Sequence, residues 1–165
     1  MTEVKSIWRA VADEPLPHEL LLLGDENPAL LAAYLPQSQI YLLGAPRTPI
    51  GVCVLQVRRE ESEIMNVAIA PEHQGQGLGR RLLQHVIGEA RTQAPRKLLI
   101  KTGNSAIGQL ALYQQLGFEL EAVHYDYFLR QYPQPIWENG IRCKHQLVLA
   151  LALHDVSPSF DFDLG

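Results

Sequence analysis

The pattern of apolar and polar positions divides the chain into short strands and amphipathic helices. Apolar, β-branched runs predict strands near residues 6–11, 39–44, 49–57, 63–70, 97–102, 118–129 and 142–153. Apolar positions at helical spacing predict helices over residues 18–23, 28–36, 76–93 and 105–116. The predicted order is β-α-α-β-β-β-α-β-α-β-β, which indicates the α/β class, with a mixed sheet flanked by helices.

A glycine-rich turn joins the fourth predicted strand to the longest predicted helix. Pro71 ends the strand because proline cannot donate to a sheet ladder, and Gly75, Gly77 and Gly79 follow before the helical pattern. The first N–H groups of a helix have no intrahelical partner, and the helix dipole adds positive potential there. Glycines also remove the Cβ atoms that would keep a ligand away. The turn therefore predicts a phosphate or pyrophosphate site.

Two common phosphate motifs fit this turn poorly. A P-loop requires Lys-Ser or Lys-Thr directly after its last glycine, and neither follows here. A Rossmann fingerprint requires Gly-x-Gly-x-x-Gly near the start of a βαβ unit, whereas here the third glycine comes one residue early, in the middle of the chain. A dinucleotide-binding protein nevertheless stays open as an alternative function for the chain.

Two stretches together carry a family resemblance. The first runs from Gln74 to Gly79 and matches the pattern Gln/Arg-x-x-Gly-x-Gly/Ala. The second begins at Asn104 and ends in Tyr113-x-x-x-Gly-Phe118. In this order and at this spacing, the chain resembles the GNAT (general N-acetyltransferase) superfamily of acetyl-CoA-dependent acetyltransferases. The resemblance covers residues 50–128 and implies the GNAT fold.

The resemblance also implies the cofactor contacts, with acetyl-CoA as co-substrate and without a metal. The pantetheine arm would pair with the backbone of the central strand at Val67, Ala68 and Ile69. Asn104 would contact the same arm, although an Asn before a helix that begins at Ser105 can equally be its cap. The pyrophosphate would lie on the loop residues Gln74, Gly75, Gln76, Gly77, Leu78, Gly79 and Arg80. For Arg80, a solvated helix face is an equally good interpretation.

Two side chains are candidates for the proton transfers. By resemblance, Tyr113 would donate a proton or hydrogen bond to the leaving thiolate, and it would also touch the cofactor. Its alternative role is that of a core tyrosine. Glu63 would be the base that takes a proton from the amine, or it is simply an exposed residue at a strand start. Period-two alternation predicts that Glu63, Met65, Val67 and Ile69 share one side of their strand.

The predicted function is transfer of acetyl to a primary amine of a small molecule by direct attack in a ternary complex. The two N-terminal helices and the aromatic segment over residues 125–138 would form the acceptor pocket. The alternative is a purely structural role, in which the segment over residues 125–138 packs on the edge of the sheet. Besides the dinucleotide-binding protein, two functional alternatives stay open, which are a peptide or protein N-acetyltransferase and a non-catalytic module that binds acyl-CoA.

Composition narrows the class of protein further. The chain has 165 residues, which fits one domain over residues 1–153 and a polar tail over residues 154–165. The net charge of −4 gives no basic surface for nucleic acid or an anionic membrane, and it mildly favours a cationic substrate. The N-terminus lacks an apolar signal segment and the two cysteines fit reduced thiols, so we expect a cytoplasmic protein. Sheet-edge contacts are common in such folds, and we therefore consider a homodimer.

Overall fold

The computed structural model describes residues 5–154, so residues 155–165 of the predicted tail lie outside the described part. The strands are β1 (Ser6–Arg9), β2 (Gln39–Ala45), β3 (Thr48–Val57), β4 (Ser62–Ile69), β5 (Lys97–Gly103), β6 (Glu119–His124), β7 (Trp137–Glu138), β8 (Ile141–Arg142) and β9 (Gln146–Ala152). The helices are α1 (His18–Gly24), α2 (Pro28–Tyr34), α3 (Leu78–Arg91), α4 (Ile107–Gln115) and α5 (Tyr127–Gln131). Short 3₁₀ turns cover Leu35–Gln37 and Pro71–His73.

A seven-stranded sheet in the order β1-β2-β3-β4-β5-β9-β6 forms the centre of the fold. The β4–β5 pair is parallel, and the other neighbours in this sheet run antiparallel. Helices α1 and α2 cover one face of the sheet, and α3 and α4 cover the other. Strands β2 and β3 are buried on both faces, which explains their continuous apolar sequence. The predicted mixed α/β fold is confirmed.

The C-terminal third differs from the prediction in two places. The strand predicted over residues 118–129 ends at His124, because Asp126 adopts a left-handed φ of 58° and starts α5. The strand predicted over residues 142–153 is divided, since β8 pairs with β7 in a small hairpin and β9 begins only at Gln146. Between them, the side-chain oxygen of Asn104 accepts hydrogen bonds from the N–H groups of Lys144 and His145 at 2.8 and 2.9 Å. Residues 144 and 145 therefore donate to a side chain instead of a neighbouring strand, and they separate β8 from β9.

A β-bulge interrupts β4, and the predicted alternation along this strand is therefore wrong. Val54 pairs with Asn66 and Leu55 with Ile64, so Met65 is the extra residue. Before the bulge Ile64 packs toward α3 and α4, and after it Val67 packs on that side while Met65 packs toward α1 and α2. One inserted residue reverses which side chains face each layer. The side chains of Glu63 and Val67 therefore lie on opposite sides of β4, whereas the sequence pattern predicted one side for both.

The helices of the fold are short. No helix among residues 5–154 combines the length and the apolar composition that a bilayer crossing requires.

Candidate active site

The candidate site lies where the two parallel strands separate. Strands β4 and β5 pair only over Ser62–Ile64 and Leu98–Ile100, and beyond these residues each strand follows a different neighbour. A cavity of about 700 Å³ opens between them. Its strand walls are Met65, Asn66 and Val67 from β4 and Lys101, Thr102 and Gly103 from β5. The splayed pair therefore creates room for a ligand in the middle of the sheet.

The backbone of β4 offers an open edge along this cavity. Within residues 5–154, no strand pairs with the β5 side of β4 beyond Ile64. Val67 lines the cavity, whereas the side chains of Ala68 and Ile69 pack into the layers above and below the sheet. An open strand edge can bind an extended ligand through its main-chain groups, as an added strand would.

The glycine-rich loop leads from the end of β4 into α3. Gly75 and Gly77 both have φ of 77°, a left-handed conformation in which an added Cβ is strained. No atom lies within 4 Å of the position a Cβ would take at either glycine. In the described part of the chain, the backbone N–H groups of residues 75–80 donate to no protein acceptor. The loop is therefore an open cradle of donors suited to an anion.

Two side chains of the predicted loop site make contacts within the protein. The Gln74 amide donates to the carbonyl of Ile69 at 2.9 Å and thereby fixes the loop to the end of β4. Arg80 donates to the side chain of Gln115 at the end of α4. Arg80 therefore connects the first turn of α3 to the end of α4, and its contact with a phosphate stays a prediction.

Tyr113 lies in α4 and reaches the cavity from the α3 and α4 side of the sheet. It is 4% exposed, packs against Phe118 with ring centres 6.2 Å apart, and lines the cavity. Among residues 5–154, no group forms a hydrogen bond with its hydroxyl. Burial, followed by the nearby Cys53 thiol, raises the pKa of Tyr113 above its ordinary value. The phenol is therefore a protonated donor at neutral pH.

Glu63 lies within the parallel β4–β5 pairing, opposite Leu99. It is 4% exposed, so it is not the exposed residue that one interpretation of the sequence allowed. Its Oε1 accepts from Arg58 at 3.2 Å and from Lys101 at 3.3 Å. Both cations therefore share one oxygen of the Glu63 carboxylate, and they fix its orientation beside the cavity. Glu63 lines the cavity together with Lys101.

Asn104 has a different local role from the helix cap that the sequence allowed. Helix α4 begins at Ile107 with Ala106 at its N-cap, and no side chain caps it. The Asn104 amide instead accepts from Lys144 and His145 and donates to the carbonyl of Arg142 at 3.2 Å. It thus fixes the segment that carries the buried Cys143 against the cavity. Contact between Asn104 and the cofactor arm stays a prediction.

The wall opposite β5 contains polar residues that the sequence analysis did not identify as site residues. Asp25, Glu26 and Tyr34 come from the α1–α2 region, and Asn66 comes from β4. Asp25 and Glu26 directly precede α2, and Asn27 Oδ1 caps this helix by accepting from the N–H groups of residues 29 and 30. The predicted aromatic segment also reaches the cavity, through Tyr127, Phe128, Tyr132, Trp137 and Glu138.

The open edge of β4 and the side chains of Glu63 and Tyr113 line one cavity, and the glycine-rich loop follows the end of β4. The family model of the acetyltransferase (GNAT) family matches residues 3–118. The chain belongs to this family and is an acyltransferase, as the two sequence stretches predicted.

Similar proteins are known from several bacteria. An uncharacterized N-acetyltransferase, YvbK, from Bacillus subtilis is 38% identical over 137 residues, which cover 82% of this chain and 88% of YvbK. A GNAT family acetyltransferase from Elizabethkingia anophelis with acetyl-CoA bound is 40% identical, with a TM-score of 0.85 over 90% of this chain and 97% of that one. The [ribosomal protein bS18]-alanine N-acetyltransferase of Escherichia coli is 35% identical over 75 residues, 46% of this chain and 51% of that protein.

Proposed function

We propose that the protein transfers an acetyl group from acetyl-CoA to a primary amine of a small molecule. The observation that carries this proposal is that Glu63, Tyr113 and the open edge of β4 line one cavity, while the glycine cradle follows the end of the same strand. The acetyl-CoA in the Elizabethkingia relative supports the choice of donor. Cytoplasmic location and a homodimer stay predictions from the sequence.

The residues of the cradle and of β4 fit the two ends of acetyl-CoA. The N–H groups of residues 75–80 would hold the diphosphate, because they are unpaired and lie at the positive end of the α3 dipole. The edge of β4 near Val67 would pair with the amide groups of the pantetheine arm. When bound, acetyl-CoA supplies the thioester, and an N–H group of β4 would polarise its carbonyl.

Glu63 and Tyr113 would carry the two proton transfers. The reacting nitrogen must be a free amine, so Glu63 would accept its proton directly or through a water molecule. The amine nitrogen then forms a bond to the acetyl carbon while the carbon–sulfur bond breaks, and the second proton that the nitrogen loses would pass through water to Tyr113, replacing the one given to sulfur. Tyr113 would donate a proton or a hydrogen bond to the departing sulfur, since its buried phenol stays protonated at neutral pH. The acetylated amine and free CoA are the products.

A peptide amine is the second candidate acceptor. The part-length similarity to the bS18-alanine N-acetyltransferase favours it, because that relative acts on the alanine of a protein. The acidic and aromatic cavity wall favours a small cationic amine instead.

The proposal is tested by thiol release from acetyl-CoA with purified protein. The amines offered would be monoamines, polyamines, aminoglycosides, amino acids and short peptides. Release that depends on a small amine supports the proposal, and release with peptides alone favours the second candidate. If acetyl-CoA binds but no amine is acetylated, both candidate activities are wrong and the protein is a non-catalytic acyl-CoA-binding module.

Replacing Gly77 by Ala should weaken acetyl-CoA binding by about tenfold, since a left-handed Ala costs about 1–2 kcal/mol. The added Cβ would also enter the cradle that is now open. Gly88→Ala is the matched control, because Gly88 is exposed in the interior of α3 and its Cβ position is equally open. That variant should keep its affinity and gain roughly 0.5–1 kcal/mol of stability. Calorimetric titration with CoA measures the affinity of each variant, and thermal unfolding measures its stability. Equal affinities of Gly77→Ala and wild type would remove the loop from the cofactor site.

A further inference from the structure

We propose that Asp25 selects acceptors that carry a second cationic group besides the reacting amine, so that the preferred substrates are diamines or larger polyamines. This inference rests on the proposed function, and it assigns the substrate class of the same cavity.

The Asp25 carboxylate is held at the cavity wall by two hydrogen bonds. Its Oδ1 accepts from the N–H group of Asn27 at 3.1 Å, and its Oδ2 accepts from the hydroxyl of Tyr34 at 3.3 Å. Neither contact neutralises the charge, and no Lys, Arg or His of residues 5–154 forms an ion pair with Asp25 within 4.0 Å. Asp25 is therefore an oriented anion without a cation.

A buried amide ties this carboxylate to the strand at which the acetyl group would lie. Asn66 follows the bulge in β4 and is 4% exposed. Its Nδ2 donates to the Tyr34 hydroxyl at 3.2 Å and to the carbonyl of Leu21 at 2.8 Å, while its Oδ1 has no partner among residues 5–154. The chain Asp25–Tyr34–Asn66 fixes the α1–α2 wall relative to β4. Asp25 therefore keeps a set distance from the reaction centre.

The cavity carries uncompensated negative charge on this side. Four carboxylates line it, namely those of Asp25, Glu26, Glu63 and Glu138, and of these only Glu63 has an ion pair within residues 5–154. Lys101 is the one Lys or Arg among the described residues of the lining, and it belongs to Glu63. Aromatic rings from α2, α5 and β7 complete the wall and can contact a cation through their faces.

Tyr132 lines the same cavity as Asp25 and adds an aromatic ring to it. Burial and then the Asp25 charge raise the pKa of Tyr132 to about 12, so its phenol stays neutral beside the carboxylates at neutral pH. A cation in this cavity would gain from the carboxylate and from the aromatic lining.

The nitrogen that Asp25 binds would be an ammonium that does not react, because the reacting nitrogen must be neutral. An uncompensated carboxylate stabilises an ammonium in its charged form. The attacking nitrogen must instead lose a proton, so it belongs beside Glu63 and Tyr113. A second ammonium has no such requirement, and Asp25 can bind it fully charged.

The test compares 1,4-diaminobutane with 1-aminobutane, which has the same carbon chain and one ammonium fewer. Wild-type protein should acetylate the diamine with a kcat/KM about tenfold or more above that of the monoamine, the range expected for one charge-assisted contact. Asp25→Asn should lower this ratio by about tenfold, mainly through the KM of the diamine. Tyr34→Phe keeps the charge of Asp25 but removes the hydrogen bond that orients its carboxylate, so this variant should lower the ratio less. Glu119→Gln removes an exposed carboxylate outside the cavity and should leave the ratio unchanged.

A binding measurement separates failure of this inference from failure of the proposed function. CoA-saturated protein is titrated with 1,4-diaminobutane by calorimetry, which requires no turnover. Weaker binding to Asp25→Asn than to wild type supports the inference, even if no amine is acetylated and the proposed function falls. Absent binding to wild type, equal binding to the two proteins, or equal turnover of the diamine and the monoamine overturns it.

Discussion

Replacing Tyr113 by Phe should lower kcat for amine acetylation by about 10²–10⁴-fold, the range for losing a general acid, and should leave acetyl-CoA affinity unchanged. The substitution removes one oxygen and keeps the ring that packs against Phe118. Because no group among residues 5–154 bonds to the hydroxyl, the change leaves no protein partner unsatisfied. The loss of rate would therefore report on the sulfur leaving group and not on folding.

Three measurements on the Phe variant separate the roles open to Tyr113. These are kcat at saturating acetyl-CoA, the Kd of CoA, and the thermal midpoint of unfolding. Full turnover with an unchanged midpoint would show that Tyr113 is only a core residue. In wild type, the raised pKa keeps the phenol protonated, so kcat should not fall through Tyr113 ionisation between neutral pH and its ordinary pKa of about 10. A decline in that range that disappears in the Phe variant would contradict the buried donor.

Local features of the chain were predictable because each has a short-range cause. The Asn27 cap and the glycine loop combine residues that are adjacent in sequence with a fixed backbone requirement. The turn over residues 138–140 is another such case, since Asn139 and Gly140 adopt φ of 53° and 72° and close the β7–β8 hairpin. Such signals do not depend on the rest of the fold.

The parts that the sequence did not reveal depend on contacts between distant residues. The bulge at Met65 is set by the register between β3 and β4, and nothing in the alternation of β4 alone predicts it. The division of the last predicted strand depends on Asn104, which lies about 40 residues before the N–H groups it binds. Asp25 similarly acquires its place in the cavity from Asn66, through Tyr34. Sequence patterns give element types, whereas these pairings decide which side chains meet.

Replacing Glu63 by Gln should lower kcat/KM by about 10²-fold at neutral pH, the lower end of the range for a general base. Without a carboxylate to take the proton, the reaction depends on the fraction of amine that is already neutral in solution. The rate of the variant should therefore rise with pH through the alkaline range, while the wild-type rate levels off earlier. A pH profile of kcat/KM with one amine measures this difference.

The carboxylate also has a structural role, which the experiment must separate from catalysis. Glu63→Gln leaves Arg58 and Lys101 without their partner, but their side chains are 39% and 31% exposed and can turn toward water. The stability loss should thus stay near the roughly 1 kcal/mol of surface pairs. Arg58→Gln is the matched control, because it breaks one of the same two ion pairs, lies outside the cavity lining and keeps the carboxylate. If both variants lose the same activity with the same pH profile, Glu63 only supports the structure, and the base is a water molecule or another group.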